Sequence, residues 1–394
     1  MLRKVDRMMS YWRNRNHGWF QVGQIWNLSF VAVFVLSLQC GAAKADQIPV
    51  TYANNFSIEI YDTHKLLTVR NPWRGAETLS FEYALVPKDS PIPDLPVGVQ
   101  IVRTPVDRMS VLATVYVGHV QALDLYDQLV GMSHLNYTSD QRALRQVENG
   151  YTKEIQTGTS LNIESLLMLK SDVIFTSAMG NPQFDAHPQL QRARQPVVVT
   201  ADYMEEHPLG RSEWIKFTAA FFDKEDEAAE IFDRISSEYN RLTNLVKRAE
   251  SRPTVVANAP FGGVWHVPGG RSYTAQAIAD AGGDYVFSDD RSVGGVPKDF
   301  ESVYFRAGSA NFWLHPGPSR SLASLIELDE RFNRFNAFEE GRVFNNTLRV
   351  NANGGNDVWE RGTLHPEEVL ADLIAILHPK LLPKHKFVYY ERID

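Results

Sequence analysis

The chain has one cysteine, Cys40, in 394 residues. A single cysteine closes no disulfide within the chain, and thiol chemistry or a thiolate-held metal would rest on one side chain. Long apolar runs are also missing. The best, Leu28 to Leu38, is about 11 residues, short of the roughly 20 needed to span a bilayer. Catalytic signatures are absent: there is no Walker loop, no GxSxG, no HExxH and no CxxC. Gly262-Gly263 and Gly269-Gly270 flank Trp265 outside any phosphate-loop pattern, and they read as tight turns where backbone approaches backbone.

What is present at the start is a three-part leader. Arg3, Lys4, Arg7, Arg13 and Arg15 oppose only Asp6, an apolar run follows, and Ala43-Lys44-Ala45 satisfies the small-x-small rule. This layout is that of a secretory signal peptide, with cleavage expected after Ala45. An anchor through Cys40 is the alternative, disfavoured by Gln39 in the preceding position, where such sites want a small residue. The long basic stretch leaves Met8 or Met9 as alternative starts. Cleavage leaves 349 of 394 residues and removes the cysteine. The leader takes six Lys/Arg and one Asp/Glu from totals of 40 and 47, which leaves 34 against 46 and a net charge of −12. Such acidity argues against nucleic acid or an anionic membrane as partner and leans weakly toward a cationic ligand.

The remaining length predicts two domains. Ile48–Tyr52, Phe56–Ile60, Lys65–Val69 and Leu79–Val86 are β-prone runs separated by turn residues, and they predict a β-meander over 46–105. From 106 the rhythm becomes strand and helix in alternation, with strands at Met109–Ala113, Val173–Phe175 and Val197–Val199 and helices at Tyr116–Leu129 and Ile163–Leu169. Such alternation implies a mainly parallel sheet covered by helices over 106–207. Ser212 to Arg248 has apolar residues three and four apart. It predicts a long helix within a connecting segment, 208–250, with Asp223 as a break and an N-cap. The alternation returns over 251–394: strands at Thr254–Ala257 and Asn311–Leu314, helices at Ser272–Ala281, Phe300–Arg306 and Glu367–Leu377. Gly282-Gly283 reads as a helix stop.

Three loops after predicted strands carry the chemistry, at the strand ends where open α/β sheets bind ligands. Thr114-Val115-Tyr116 opens a helix; Phe261 to Tyr273 holds Trp265, His266, Arg271 and Tyr273; Asn351 to Arg361 holds Asn353, Asn356, Trp359, Glu360 and Arg361. Aromatic faces beside arginine and amides suit a flat or polyoxygenated ligand. Tyr116, Trp265, Arg271, Tyr273, Trp359 and Arg361 are the candidate ligand-binding residues. The competing assignment is core aromatics with surface charges. Ten histidines outside the leader are scattered, and five of them precede a proline.

Three runs carry a family resemblance. Tyr203 to Phe217 is similar to the junction segment of the binding proteins that serve iron–siderophore and vitamin B12 importers. Trp265 to Tyr273 with Asp280-Ala281-Gly282-Gly283, and Asp357-Val358-Trp359-Glu360 through His365-Pro366 to Pro379, resemble the start and end of that family's second lobe. The resemblance covers the chain from about residue 99. It implies two Rossmann-like α/β lobes joined by one long helix with little hinge closure, and a ligand in the cleft between lobes. A ferric siderophore is the first choice and cobalamin or haem the next. It also implies a periplasmic monomer that performs no catalysis, carries no cofactor and docks on an inner-membrane ABC permease dimer through a glutamate on each lobe. The matching positions are Glu164 and Glu301, each at the start of a short helix before a strand. Ser171-Asp172 departs from the family's usual proline-aspartate.

Two other classes stay open from the residues alone. A secreted α/β hydrolase would need a nucleophile and base that no motif supplies. A bare-metal binder would need several histidines and carboxylates converging on the cleft.

Overall fold

The computed structural model describes residues 46–158 and 160–394; the predicted leader, including Cys40 and Ala45, lies outside them. No described helix is long and apolar enough to cross a membrane.

The first sheet runs β1 (Asp46–Gln47), β2 (Phe56–Ile60), β3 (Lys65–Arg70), β4 (Ser80–Pro87) and β5 (Gln100–Thr104), in that order. It departs from a meander at its end, because β4 and β5 pair in parallel. Ile48–Tyr52 does not form the predicted strand. The backbone N–H groups of Thr51, Tyr52 and Ala53 instead point to the buried carboxylate of Glu213, at 2.7–3.0 Å. Those of Asn54 and Asn55 point to Glu205, at 2.8 and 3.0 Å. Phe56 and Tyr83 pack on Phe217, and Phe56 also meets Trp214.

The second sheet contains β6 (Met109–Val111), β7 (Leu129–Ser133), β8 (Lys153–Thr157), β9 (Ser160–Leu161), β10 (Val173–Ser177) and β11 (Val197–Thr200), in the order β11-β10-β6-β7-β8-β9. All pairs are parallel except β8 with β9. Its helices are α1 (Val115–Ala122), α2 (Gln141–Glu148), α3 (Ile163–Leu169) and α4 (His187–Arg192). The helix predicted to run to Leu129 stops at Ala122. Asp124 turns left-handed, with φ 48°, and the apolar run beyond it becomes β7.

The connection to the next sheet is α5 (Pro208–Ala219), a 3₁₀ turn over Ala220–Phe222, and α6 (Glu225–Val246). The break falls at Asp223, whose φ is 53°, so this stretch is two helices rather than one. Asp223 caps nothing; it pairs with Lys65 of β3 at 2.7 Å, and Lys224 stands at the cap position without a side-chain bond. Every residue of α5 except Arg211 is buried, the signature of a helix covered on all sides.

The third sheet is ordered β15-β12-β17-β18-β19, and a small antiparallel sheet, β13-β14-β16, stands beside it in sequence. The strands are β12 (Thr254–Ala257), β13 (Pro260–Phe261), β14 (Val264–Pro268), β15 (Asp284–Tyr285), β16 (Gly295–Lys298), β17 (Phe312–Leu314), β18 (Val343–Asn345) and β19 (Glu391–Arg392). The helices are α7 (Tyr273–Asp280), α8 (Phe300–Ala307), α9 (Leu322–Leu328), α10 (Asn336–Glu339), α11 (Arg361–Leu364) and α12 (Pro366–Leu377). Gly282 and Gly283 end α7 as read, with N–H bonds back to Ala279 and Ile278. A Cβ on Gly269 would lie 2.1 Å from the Ser292 carbonyl, which explains glycine there. Trp265, Trp313, Phe300, Phe332 and Phe335 form one aromatic core.

Candidate functional site

In both parallel sheets the strand order reverses beside the first strand, at β6/β10 and at β12/β17. Ligands of open α/β sheets bind outside the C-terminal ends of strands at such points. A cleft of about 770 Å³ lies there, with Thr114 after β6, Tyr137 after β7, Asn258 after β12 and His315 after β17 among its walls. Asn258 and His315 both hold left-handed backbone, at φ 66° and 58°. This conformation is uncommon for any residue but glycine, although asparagine and histidine are among those that adopt it most often. Two such residues at neighbouring strand ends mark a site where backbone conformation has been fixed by its surroundings. The indoles of Trp265 and Trp313 help to fix it: they donate to the carbonyls of Ala257 and Asn258 at 3.1 and 2.7 Å.

The walls are amide and aromatic. Five asparagines (258, 345, 346, 351 and 356) line the cleft with Tyr137, Phe261, Tyr273 and Trp359. Among the described residues Arg320 is the single Lys or Arg of the lining, and no carboxylate contributes to it. The negative charge of the chain is therefore not concentrated at the site, and the weak expectation of a cationic ligand finds no carboxylate there. His315 is held neutral at ordinary pH, because burial pushes its pKa down to about 4. Its Nε2 meets the Tyr390 hydroxyl.

Of the six predicted ligand-binding residues, the structure brings Tyr273 and Trp359 into the cleft. Trp359 is 46% exposed. The other four stand elsewhere. Tyr116 is 3% exposed, bonds Thr200 through its hydroxyl and packs on Phe175; its neighbour Thr114 reaches the cleft instead. Trp265 is fully buried against Trp313, ring centroids 5.6 Å apart. Arg271 is a surface residue in a two-pronged pair with Glu206. Arg361 is bound by Glu368 and the Tyr389 hydroxyl, which hold its guanidinium more firmly protonated. Sequence reasoning missed Asn258, His315 and Arg320.

The loop 351–361 has a second role. Asn351 Nδ2 donates to the carbonyls of Asn136 and Thr138 at 3.0 and 3.1 Å. The Glu360 carboxylate accepts the N–H groups of Ser139 and Asp140, both at 2.8 Å. Gly355 lies so close to Tyr137 that a Cβ would meet its carbonyl at 2.4 Å. This loop therefore fixes one wall of the cleft against the other. Burial raises the Glu360 pKa to about 7, against the opposing pull of its two N–H donors.

Glu164 and Glu301 occupy corresponding positions. Each lies in the first turn of a helix, α3 or α8, whose cap residue (Asn162 or Asp299) accepts from the N–H three residues on. Each helix precedes a parallel strand, β10 or β17. Four residues after each glutamate stands an exposed apolar side chain, Met168 at 75% and Phe305 at 94% exposure. Residues four apart share a helix face. Glu301 pairs with Arg331 at 2.7 Å.

Among the described residues one group has metal-ligand spacing, His365, Glu367 and Glu368, with ligand atoms within 4.8 Å of one another. None of the three lines the cleft, and Glu368 is already engaged by Arg361. Among the described lining residues the cleft offers two histidines, His266 and His315, and no cysteine or carboxylate, which does not favour a bare-metal binder.

The profile of the family described as periplasmic binding protein matches residues 110–347. An uncharacterized lipoprotein of Methanocaldococcus jannaschii is 25% identical over 366 residues, 86% of this chain and 84% of the relative. A second uncharacterized lipoprotein of that organism is 24% identical over 78% of each chain. Solved structures share the fold. A possible iron-binding periplasmic solute-binding protein from Staphylococcus epidermidis superposes with TM-score 0.55 at 18% identity, over 70% of this chain and 100% of that one. For a periplasmic haem-binding protein from Pseudomonas aeruginosa the values are 0.56, 16%, 73% and 98%. For a molybdate-bound periplasmic binding protein from Haemophilus influenzae they are 0.54, 19%, 72% and 89%.

Proposed function

The chain belongs to the periplasmic binding protein family, and from that premise we propose that it is the ligand-capturing subunit of an ABC importer for a metal chelate, with a ferric siderophore as first choice and cobalamin or haem next. The observation that carries this reading is the cleft: about 770 Å³ at the strand ends of two sheets, walled by asparagines and aromatics, with no carboxylate among its described lining residues. Amides and aromatic faces recognise oxygen-rich and flat ligands, while a hard bare cation demands carboxylates. The volume falls within the range of small-molecule sites. Tyr273 and Trp359 are the aromatic contacts, Arg320 the cationic one, and Glu164 and Glu301 meet the permease.

The test is a titration of the purified protein with ferric siderophores, cobalamin and haem, followed by tryptophan fluorescence. Trp359, half-exposed in the cleft, is the reporter. Saturable quenching that weakens in Trp359→Phe supports the reading. No saturable response to any of the three sinks it.

Two readings of retention outside the cell follow from the sequence and the relatives. Cleavage after Ala45 releases the protein. Relatives that bear the name lipoprotein favour Cys40 as a lipidated anchor. Labelled fatty acid incorporated by the wild type and not by Cys40→Ala establishes the anchor; an N-terminus at Asp46 establishes release.

A further inference from the structure

Behind the cleft lies a second, smaller chamber of about 70 Å³. Its exposed wall is mostly hydrocarbon, from Ala277 and Ile278 of α7, Val358, and Pro366, Val369 and Leu373 of α12, although Thr363 and Tyr390 also border it. Cleft and chamber share Tyr273, Thr274, His315, Asn346 and Trp359, so the chamber adjoins the cleft across these side chains. Arg211 borders it, its guanidinium lying 4.3 Å over the Tyr273 ring with one terminal nitrogen 3.2 Å from Asp202, while its Nε finds no partner among the described residues. The polarity of the site thus shifts from amide-rich in the cleft to mostly hydrocarbon in the chamber.

We propose that the chamber seats a short hydrocarbon substituent of the ligand whose polar head fills the cleft, so that the cargo is an amphipathic chelate with one small apolar arm. This rests on the chelate reading and specifies it. The size of the chamber sets the arm. An apolar cavity of about 150 Å³ takes benzene, so one of half that volume admits roughly four carbons and no aromatic ring. Each methylene removed from water favours binding by about fourfold until the space is filled.

The experiment is isothermal titration of the secreted protein with three ferric tris-catecholates that share one head and carry hydrogen, isobutyl or n-octyl on one ring. Iron deuteroporphyrin and iron mesoporphyrin, hydrogen against ethyl at two edge positions, make the same comparison for macrocycles. The isobutyl chelate is expected to bind at least about tenfold more tightly than the unsubstituted one, with octyl losing that gain. Ala277→Leu and, independently, Val369→Leu fill the chamber. Each is expected to abolish the isobutyl advantage while leaving the affinity of the unsubstituted chelate unchanged. Equal affinities across the series, or a gain that continues to octyl, overturn the proposal while the chelate reading stands. Failure of every chelate and both porphyrins to bind overturns both.

Discussion

The carboxylate of Glu360 accepts the backbone N–H of Asp140 at 2.8 Å, across 220 residues of sequence. Ser139 donates to the other oxygen of the same carboxylate. Glu360 is almost wholly buried, so this contact between the two walls of the cleft is made by a carboxylate that has lost its water. The same device recurs. Glu213 and Glu205 collect the N–H groups of residues 51–55, and Asp372 collects those of Val388, Tyr389 and Tyr390. In each case a carboxylate, borne by a helix or standing at its edge, ties down an irregular segment whose backbone has no strand to pair with.

The first prediction concerns pH. The folded-state pKa of Glu360, about 7, is above its ordinary 4.5 because burial penalises the charge. The folded protein therefore holds this proton more tightly than the unfolded chain. The stabilisation is complete below pH 4.5, declines as pH rises toward 7 and is gone above it. The span is roughly 3 kcal/mol. Melting temperatures of wild type and Glu360→Gln are measured from pH 5 to pH 8; histidines shape both curves, and the difference between them is expected to change through this window, wild type losing stability relative to the variant as pH rises. Parallel curves would mean that Glu360 does not titrate there.

The second prediction concerns the N-terminal sheet. Glu213 is fully buried, accepts three backbone N–H groups and pairs with Lys216 at 2.8 Å. Removing one partner of a buried ion pair leaves an uncompensated charge and costs about 3–5 kcal/mol. Glu213→Ala is expected to lower stability by that amount, and limited proteolysis is expected to cut first near residues 50–55. Glu213→Gln keeps an acceptor oxygen and loses less. Ligand affinity measured well below the melting temperature is expected to hold, because residues 51–53 do not line the cleft.

How far the sequence reaches is clearest on β14. Its burial alternates: Trp265 and Val267 face inward while Val264 and His266 face outward. Successive residues of a strand point to opposite faces, so Trp265 and His266 cannot both address the ligand. Composition favours tryptophan as a contact; the two-residue period shows that its neighbour holds the cleft position. A neighbouring residue likewise holds the cleft position where Thr114, two residues before Tyr116, lines it and Tyr116 is buried. The sheets were more legible, because β17, α8 and α12 rest on periodicity and on Pro366 as a helix start. Ile48–Tyr52 was not. Thr51 and Tyr52 spend their N–H groups on a glutamate 162 and 161 residues away, which no local pattern reports.

The third prediction separates core from site. Trp265→Ala is expected to cost about 3–5 kcal/mol of stability, read by denaturant unfolding. Arg271→Ala is expected to change neither stability nor affinity by more than about 0.5 kcal/mol, because its pair with Glu206 is surface-exposed and such pairs contribute little. Arg320→Ala is expected to weaken binding of an anionic chelate by about tenfold or more, with the loss shrinking at high salt. An unchanged affinity in Arg320→Ala would remove charge from the recognition scheme and leave amides and aromatics to carry it.

The fourth prediction concerns delivery. Glu164 has no ion-pair partner among the described residues, whereas Glu301 is held by Arg331 at 2.7 Å. The two carboxylates are alike in position but differ in availability. Glu164→Ala is therefore expected to impair uptake more than Glu301→Ala, and the double variant to reduce uptake of a labelled chelate below about one-tenth of wild type, because exposed charges steer association. Arg331→Ala frees Glu301 and is expected to narrow the difference between the single variants. Met168→Ser and Phe305→Ser probe the apolar partner that follows each glutamate by four residues; a patch that docks by charge and apolar contact together loses uptake in these variants also. Ligand affinity of every variant is expected to match wild type in titration, since none of these residues lines the cleft. Loss of affinity in the double glutamate variant would move those residues from docking to ligand capture, and full uptake by it would end the docking assignment.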